Sequence, residues 1–261
     1  MLRNLKDLEG FSLHATDGNI GEIKEFYFDD RHWAVRYLVV ETGTWMASKK
    51  ILLSPISIKH IDWENRELSV GVSREQVKNS PSIDTHKPVS RQNEIDYLAY
   101  YGYPQYWGGS TLWGSFSAPY MMTPGYHPNP DMPFVADPDT QITNETASFD
   151  HHLRSSSEVI NYRIEAIDDE VGHLEGLLID PDTWAIRYLI LNTSNWWLGH
   201  LALINPHLIN KVSWPESKLF VEVTRDKIKT APHYDATMTL DLNAQNAVDQ
   251  HYGGRVFAVD N

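Results

Sequence analysis

The 261-residue sequence contains no cysteine, which excludes disulfide staples, thiolate nucleophiles and cysteine-ligated zinc, and argues against an extracellular scaffold held by cross-links. Positive charge is scarce as well. Twenty-two Lys and Arg stand against 35 Asp and Glu, a formal net charge of -13, and residues 103–153 hold no Lys or Arg at all. A chain so balanced lacks the basic stripe that attracts phosphate backbones and the cations that anchor a protein on anionic lipid, so no nucleic-acid partner is expected. Long apolar runs are missing too, with nothing approaching the roughly 20 residues of a membrane span. The start, Met1-Leu2-Arg3-Asn4-Leu5-Lys6-Asp7, has no apolar signal core. The expectation is a cytoplasmic protein of a bacterium-like cell with no direct membrane insertion.

Reaction motifs are absent in the same way. There is no Gly-x-Ser-x-Gly elbow, no phosphate loop and no Gly-x-Gly-x-x-Gly. The 12 histidines show no His-x-His or His-Glu-x-x-His spacing, and His151-His152 falls in a polar stretch, so no metal and no cofactor is expected. Asp17 with Asp29, or Asp168 with Asp180, could pair as acid and base, but turn aspartates serve structure far more often. The residues point away from an enzyme.

What is present is a repeat. Adding 151 to a position in the first half lands on a matching residue without a gap: Trp33-Ala34-Val35-Arg36-Tyr37-Leu38-Val39 lies over Trp184-Ala185-Ile186-Arg187-Tyr188-Leu189-Ile190. The same shift pairs Asp17 with Asp168, Gly21 with Gly172, Asp29 with Asp180, Trp45 with Trp196, Pro55 with Pro206 and Trp63 with Trp214. Within each copy the period is that of strands. Ile20, Ile23, Phe26 and Phe28 lead into a turn at Asp29-Asp30. Ala34–Val40 then reads as a strand covered on both faces. Ile51–Leu53, Ile56–Trp63 and Glu67–Val72 complete five or six short strands in about 70 residues, as in a small barrel, and Asp17-Gly18 marks a hairpin. Ser73 with Gln76 forms a capping-box pattern, Thr224 keeps the cap without the partner, and a second helix runs over Arg91–Tyr101 and its counterpart Leu242–Tyr252.

The predicted fold is therefore mainly β: two small β-barrels in tandem, each followed by short helices. The first repeat spans 1–102, a linker 103–158 and the second repeat 159–261. Seven prolines and eight aromatic residues crowd 103–138, including Tyr106, Trp107, Trp113, Tyr126 and Phe134, so that part is expected to pack on something. Residues 139–158 read as ordinary solvated linker.

The residues Gly21-Glu22-Ile23 and Gly172-His173-Leu174 after an acidic turn, the Trp-Ala-hydrophobic-Arg-Tyr-Leu strand, and the strand ends Leu53-Ser54-Pro55 and Ile204-Asn205-Pro206 resemble the PRC-barrel domain. That family is named for the cytoplasmic domain of the photosynthetic reaction-centre H subunit, and it includes the C-terminal domain of a ribosome-maturation factor. The resemblance covers about 11–102 and 162–253. It implies the barrel fold, and by analogy a place in a larger complex, photosynthetic electron transfer or stress response included; fold alone supplies no activity.

Candidate interaction residues are those whose chemistry sits oddly in such a frame. Arg36 and Arg187 lie mid-strand among apolar neighbours, where each must pair with a carboxylate such as Asp29 or Asp180, or else meet an anionic ligand or partner. Trp45, Met46, Trp196 and Trp197 sit in loops, where they either plug a barrel end or anchor a partner. The leading expectation is a non-enzymatic protein-interaction or assembly module whose partner is another protein or a second copy of the chain in a homodimer. The alternative is a small-ligand carrier or enzyme using an inter-barrel cleft lined by Arg36, Arg187 and the tryptophans.

Overall fold

A computed structural model of the protein describes residues 1–81, 89–107, 109–122, 124, 152–193, 201–237 and 240–253. The first copy contributes β1 (Arg3–Asn4), β2 (Ser12–Ala15), β3 (Gly18–Asp29), β4 (Ala34–Thr42), β5 (Lys50–Leu53), β6 (Ile58–Asp62), β7 (Glu67–Val70) and helices α1 (Arg74–Asn79) and α2 (Arg91–Tyr101). The chain continues with β8 (Leu153–Ser155), α3 (Ser156–Val159), β9 (Arg163–Glu165), β10 (Glu170–Ile179), β11 (Ile186–Asn192), β12 (Leu201–Ile204), β13 (Ile209–Ser213), β14 (Lys218–Val221), α4 (Arg225–Lys229) and α5 (Leu242–His251). The β-rich class read from the sequence is what forms. Among the described residues no helix is long and apolar enough to cross a membrane.

Both copies make the same sheet. One has the path β5-β4-β3-β2-β7-β6 and the other β12-β11-β10-β9-β14-β13, each with one further strand off the path, for seven strands apiece. Equivalence extends to the irregularities: register breaks between Ile23 and Glu25, Tyr27 and Phe28, and Ile58 and His60 recur between Leu174 and Gly176, Leu178 and Ile179, and Ile209 and Lys211. Each bulge inserts a residue and bends its strand, so the repeat preserves curvature as well as sequence. Among the described residues no pairing joins the two ends of either path. Between β5 and β6 stands a 3-10 turn, Pro55–Ser57, capped by the Ser54 hydroxyl; Pro55 has no N–H to donate, so the chain changes direction there instead of extending a ladder.

The copy-to-copy match explains the glycine in the Gly-x-Ile/Leu motif. Gly21 and Gly172 have φ of 156° and 150°, and a Cβ on either would stand 2.0 Å from the carbonyl oxygen of Glu41 or Asn192 on the neighbouring strand. Only glycine lets β3 and β4, or β10 and β11, approach so closely. Trp33 and Trp184 share a left-handed conformation, φ 51° and 59°, at the turn before β4 and β11.

Two compact units emerge, and neither follows the chain order. One comprises Met1–Asp7, Glu158–Pro181 and Ile186–Asn261; the other comprises Leu8–Ser157 and Asp182–Ala185. In the first, Arg3 and Asn4 of β1 pair with Ile179 and Leu178 of β10. In the second, Arg154 and Ser155 of β8 pair with Phe28 and Tyr27 of β3. The two registers are related by the same 151-residue shift, so each unit takes its seventh strand from the segment leading into the other copy.

This corrects the reading of 139–158 as solvated linker for its last part. His152, Leu153 and Ser156 are buried, and the Ser156 hydroxyl accepts a hydrogen bond from Phe26 N at 3.1 Å. Polar composition misleads there because the polar atoms find partners in a sheet distant in sequence. The aromatic part of the linker does pack: Tyr106, Trp113, Ala118 and Met122 are all buried. Tyr126 and Phe134 lie outside the described residues.

The caps form as the sequence predicts. Ser73 and Gln76 make a reciprocal capping box on α1, while Thr224 caps α4 alone. A second box, Ser90 with Asn93, starts α2.

Candidate functional site

Strand β4 is buried along Ala34–Val40, which places Arg36 in the interior at 1% exposure. A guanidinium there needs partners for its charge, and NH1 and NH2 find them while the buried Nε has no acceptor. Its NH2 reaches Asp29 Oδ2 at 3.3 Å, its NH1 donates to Leu112 O at 2.7 Å, and it lies against two rings set edge to face, Tyr106 at 4.0 Å and Trp113 at 4.7 Å. Trp113 is itself pinned by Nε1 donating to Thr183 O at 2.7 Å. The proline- and aromatic-rich segment is thus the lid over Arg36, and cation–π contact with desolvated rings is the physical reason for its composition.

Beside Arg36 lies a second buried set. Helix α2 presents Glu94, Tyr97, Leu98 and Tyr101 on one face, all buried, at the i, i+3, i+4, i+7 spacing of a core stripe. Glu94 Oε1 receives Arg91 NH1 at 3.1 Å and lies 3.1 Å from His152 Nε2, while its Oε2 accepts from the Tyr37 hydroxyl at 3.2 Å and from the Tyr106 hydroxyl. Tyr106 spends its one proton on Glu94, so its oxygen accepts from Arg91 NH1 and from His152 Nε2, each at 3.1 Å. Arg91 also stacks on Trp107 at 4.2 Å. Burial, with the nearby Glu94 charge, pushes the Tyr37 and Tyr106 hydroxyls well above their ordinary value, so both remain protonated donors.

Two guanidinium groups balance two carboxylates here, and Tyr37, Tyr106 and Trp113 beside them are buried. Such an arrangement is a lock rather than an open reaction centre. It also belongs to one copy alone. The positions of Arg91 and Glu94 are Leu242 and Gln245 in the second copy, where the Tyr188 hydroxyl bonds Asp249 at 3.0 Å instead. Position 249 corresponds to Leu98, so the carboxylate has moved one helical turn along α5.

Burial drives the Asp29 carboxyl upward. It is outweighed by the hydrogen bond to the His32 ring and the charges of Arg36, His152 and His32, which together hold it well below the usual carboxylate range. A carboxyl depressed on folding stabilises fully above its unfolded value of about 3.9, and that stabilisation is lost as pH falls below it. Acid titration followed by circular dichroism should therefore show the protein losing stability below about pH 4, with a shallower slope for Asp29→Asn.

An open feature among the described residues of this unit lies elsewhere. A groove of about 410 Å³ is lined by Asp17, Trp45, Arg74, Glu75, Lys78 and Asn79. Trp45 sits in a 3-10 turn, Thr44–Met46, followed by two non-glycine residues in the left-handed region, Ala47 and Ser48 with φ 56° and 52°. Side chains there are held at a cost of order 1 kcal/mol each. The indole Nε1 donates to Ile20 O at 2.7 Å, and the Arg74 guanidinium covers the ring at 4.3 Å. Asp17 accepts from Arg74 N at 2.7 Å, tying the β2–β3 turn to α1.

Of the residues singled out in the sequence, Trp45 and Met46 are half-buried at this groove and its supporting turn. Arg36 does not belong on an interaction surface: it is enclosed and paired with Asp29, the carboxylate pairing expected first for its mid-strand position. Arg187 is half-buried. Trp196 and Trp197 lie outside the described residues. The sequence reading missed Glu94, His152 and Arg74, and it passed over the stripe of α2 that contains an acid. Among the described residues no cluster of three or more His, Asp or Glu is arranged to hold a metal ion. No protein-family model matches the chain, and no curated protein matches it.

Proposed function

We propose that the chain is a protein-interaction or assembly module built from two PRC-type barrel units, and that the Trp45 groove is a contact point for its partner. The observation that carries this reading is a large aromatic ring kept half-exposed by a strained turn, at the edge of a groove carrying charges of both signs. Tryptophan and arginine are both among the residue types enriched where binding energy concentrates. The family part of the proposal is supported by the duplicated strand order and by bulges in matching register. The buried network supports it from the other side: its charged groups are spent on one another and on closing the aromatic lid.

A photo-crosslinking residue at Met46 tests the reading in cells of the native host. One defined adduct is expected, either a second copy of the chain or a single protein identified by mass spectrometry. Trp45→Ala should reduce it at least tenfold with melting little changed. Crosslinks confined within a single molecule, or an adduct indifferent to Trp45, would overturn the proposal.

A further inference from the structure

The two copies hold the arginine that opens their first post-sheet helix in the same frame but satisfy it differently. Arg74 N and Arg225 N each donate to the preceding turn aspartate, Asp17 or Asp168, at 2.7 Å. In the second copy the next residue, Asp169, places its carboxylate on Arg225 NH1 in a close ion pair. In the first copy that position is Gly18. The Arg74 side chain lies across the glycine, where an added Cβ would stand 3.4 Å from Arg74 Cδ and 3.5 Å from its NH1. No carboxylate among the described residues reaches ion-pair distance of Arg74, and its buried Nε has no acceptor. Its guanidinium rests on Trp45 instead, facing the groove.

From this we infer that the Trp45 groove binds an acidic side chain, Asp or Glu, of a partner polypeptide, with the incoming carboxylate taking on Arg74 the place that Asp169 fills on Arg225. The inference rests on the proposal that the groove is a partner site, and it names the chemistry recognised there. A planar carboxylate suits a guanidinium fork, and stacking on an indole orients that fork while shielding one face from water. Lys78, one turn further along α1, adds a second cation to the wall, and it too has no ion-pair partner among the described residues. Asp17 and Glu75 line the same groove and disfavour a dianion, so a singly charged carboxylate is preferred to a phosphate group.

The test uses the full chain and follows the indole N–H signal of Trp45 by NMR, assigned by its loss in Trp45→Phe. The probes are N-acetyl-Gly-Glu-Gly-amide, its Gln counterpart and inorganic phosphate. The Glu peptide should shift the signal saturably, at least tenfold more strongly than the Gln peptide or phosphate, with the response weakening as salt is raised. Arg74→Gln should abolish the response, and Arg74→Lys, which keeps the charge without the fork, should weaken it several-fold. Equal responses to both peptides, or a response that survives in Arg74→Gln, would overturn the inference. Tighter binding of phosphate would overturn it in favour of a phosphate site. Should Arg74→Gln disturb the other indole signals, the comparison with Arg74→Lys decides. The two readings fail separately: Met46 crosslinking that persists without peptide binding removes the carboxylate and leaves the module. Peptide binding without any crosslinked partner removes the module and leaves the site.

Discussion

Replacing Glu94 by leucine is expected to destabilise the Arg36-containing unit by about 3–5 kcal/mol, because it removes the acceptor of a buried charge while leaving the donor in place. Arg91 keeps its guanidinium at 3% exposure, and the Tyr37 and Tyr106 hydroxyls lose their common partner. For a unit of this size the melting temperature should fall by roughly 10 °C. The compensating variant is the informative one. Arg91→Met with Glu94→Leu removes both charges and fills the space with apolar atoms, so more than half of the lost stability should return. Calorimetry on the single and double variants measures this. A double variant as unstable as Glu94→Leu would mean that the hydroxyl and imidazole bonds, rather than the charge balance, dominate the lock. Hydrogen exchange should also show α2 and the segment around Trp113 opening together, since Tyr106 and Arg36 link them.

Gly21→Ala should have a still larger effect from a single methyl group. The Cβ would overlap the Glu41 carbonyl oxygen, a backbone atom of β4 that no side-chain rotation can move aside. The residue also needs φ of 156°, which alanine rarely adopts. Relief requires β3 and β4 to separate along a pairing that runs from Gly21 to Asp29, so a loss above about 4 kcal/mol is expected, in the range reserved for a few named mechanisms. Gly172→Ala should do the same to the other unit, with the Asn192 oxygen in the way. Two thermal transitions, each lowered by its own variant, would show that the units melt independently. A soluble, normally melting Gly21→Ala protein would contradict the strand spacing described above.

Where the two copies agree, structure explains their agreement, and where they differ the chemistry lies. The shared features are a glycine at a close strand approach, matched bulges and a left-handed tryptophan at a turn. The differences are Glu94 against Gln245, Arg91 against Leu242 and Gly18 against Asp169. The first two create the buried lock of one unit. The third leaves Arg74 to face the groove.

Much of the frame was determined by the sequence alone, because strand period, turn chemistry and helix caps act between residues a few positions apart. The repeat at 151 residues, the buried run Ala34–Val40, the capping box at Ser73 and the helix at Arg91–Tyr101 are all of this local kind. Even the strand exchange left a trace, since Leu2-Arg3 and Leu153-Arg154 obey the same shift. What that trace meant could be decided only in three dimensions. Two-residue and three-residue strands have no periodicity of their own, and their pairing with β10 and β3 depends on which sheet edge is open to them. The burial of His152 against Glu94, and of the Trp113 ring over Arg36, likewise joins residues tens of positions apart. Composition announced that those aromatic rings needed a place to pack, and the tertiary structure settled it by giving a buried guanidinium the flat, water-excluding faces it requires.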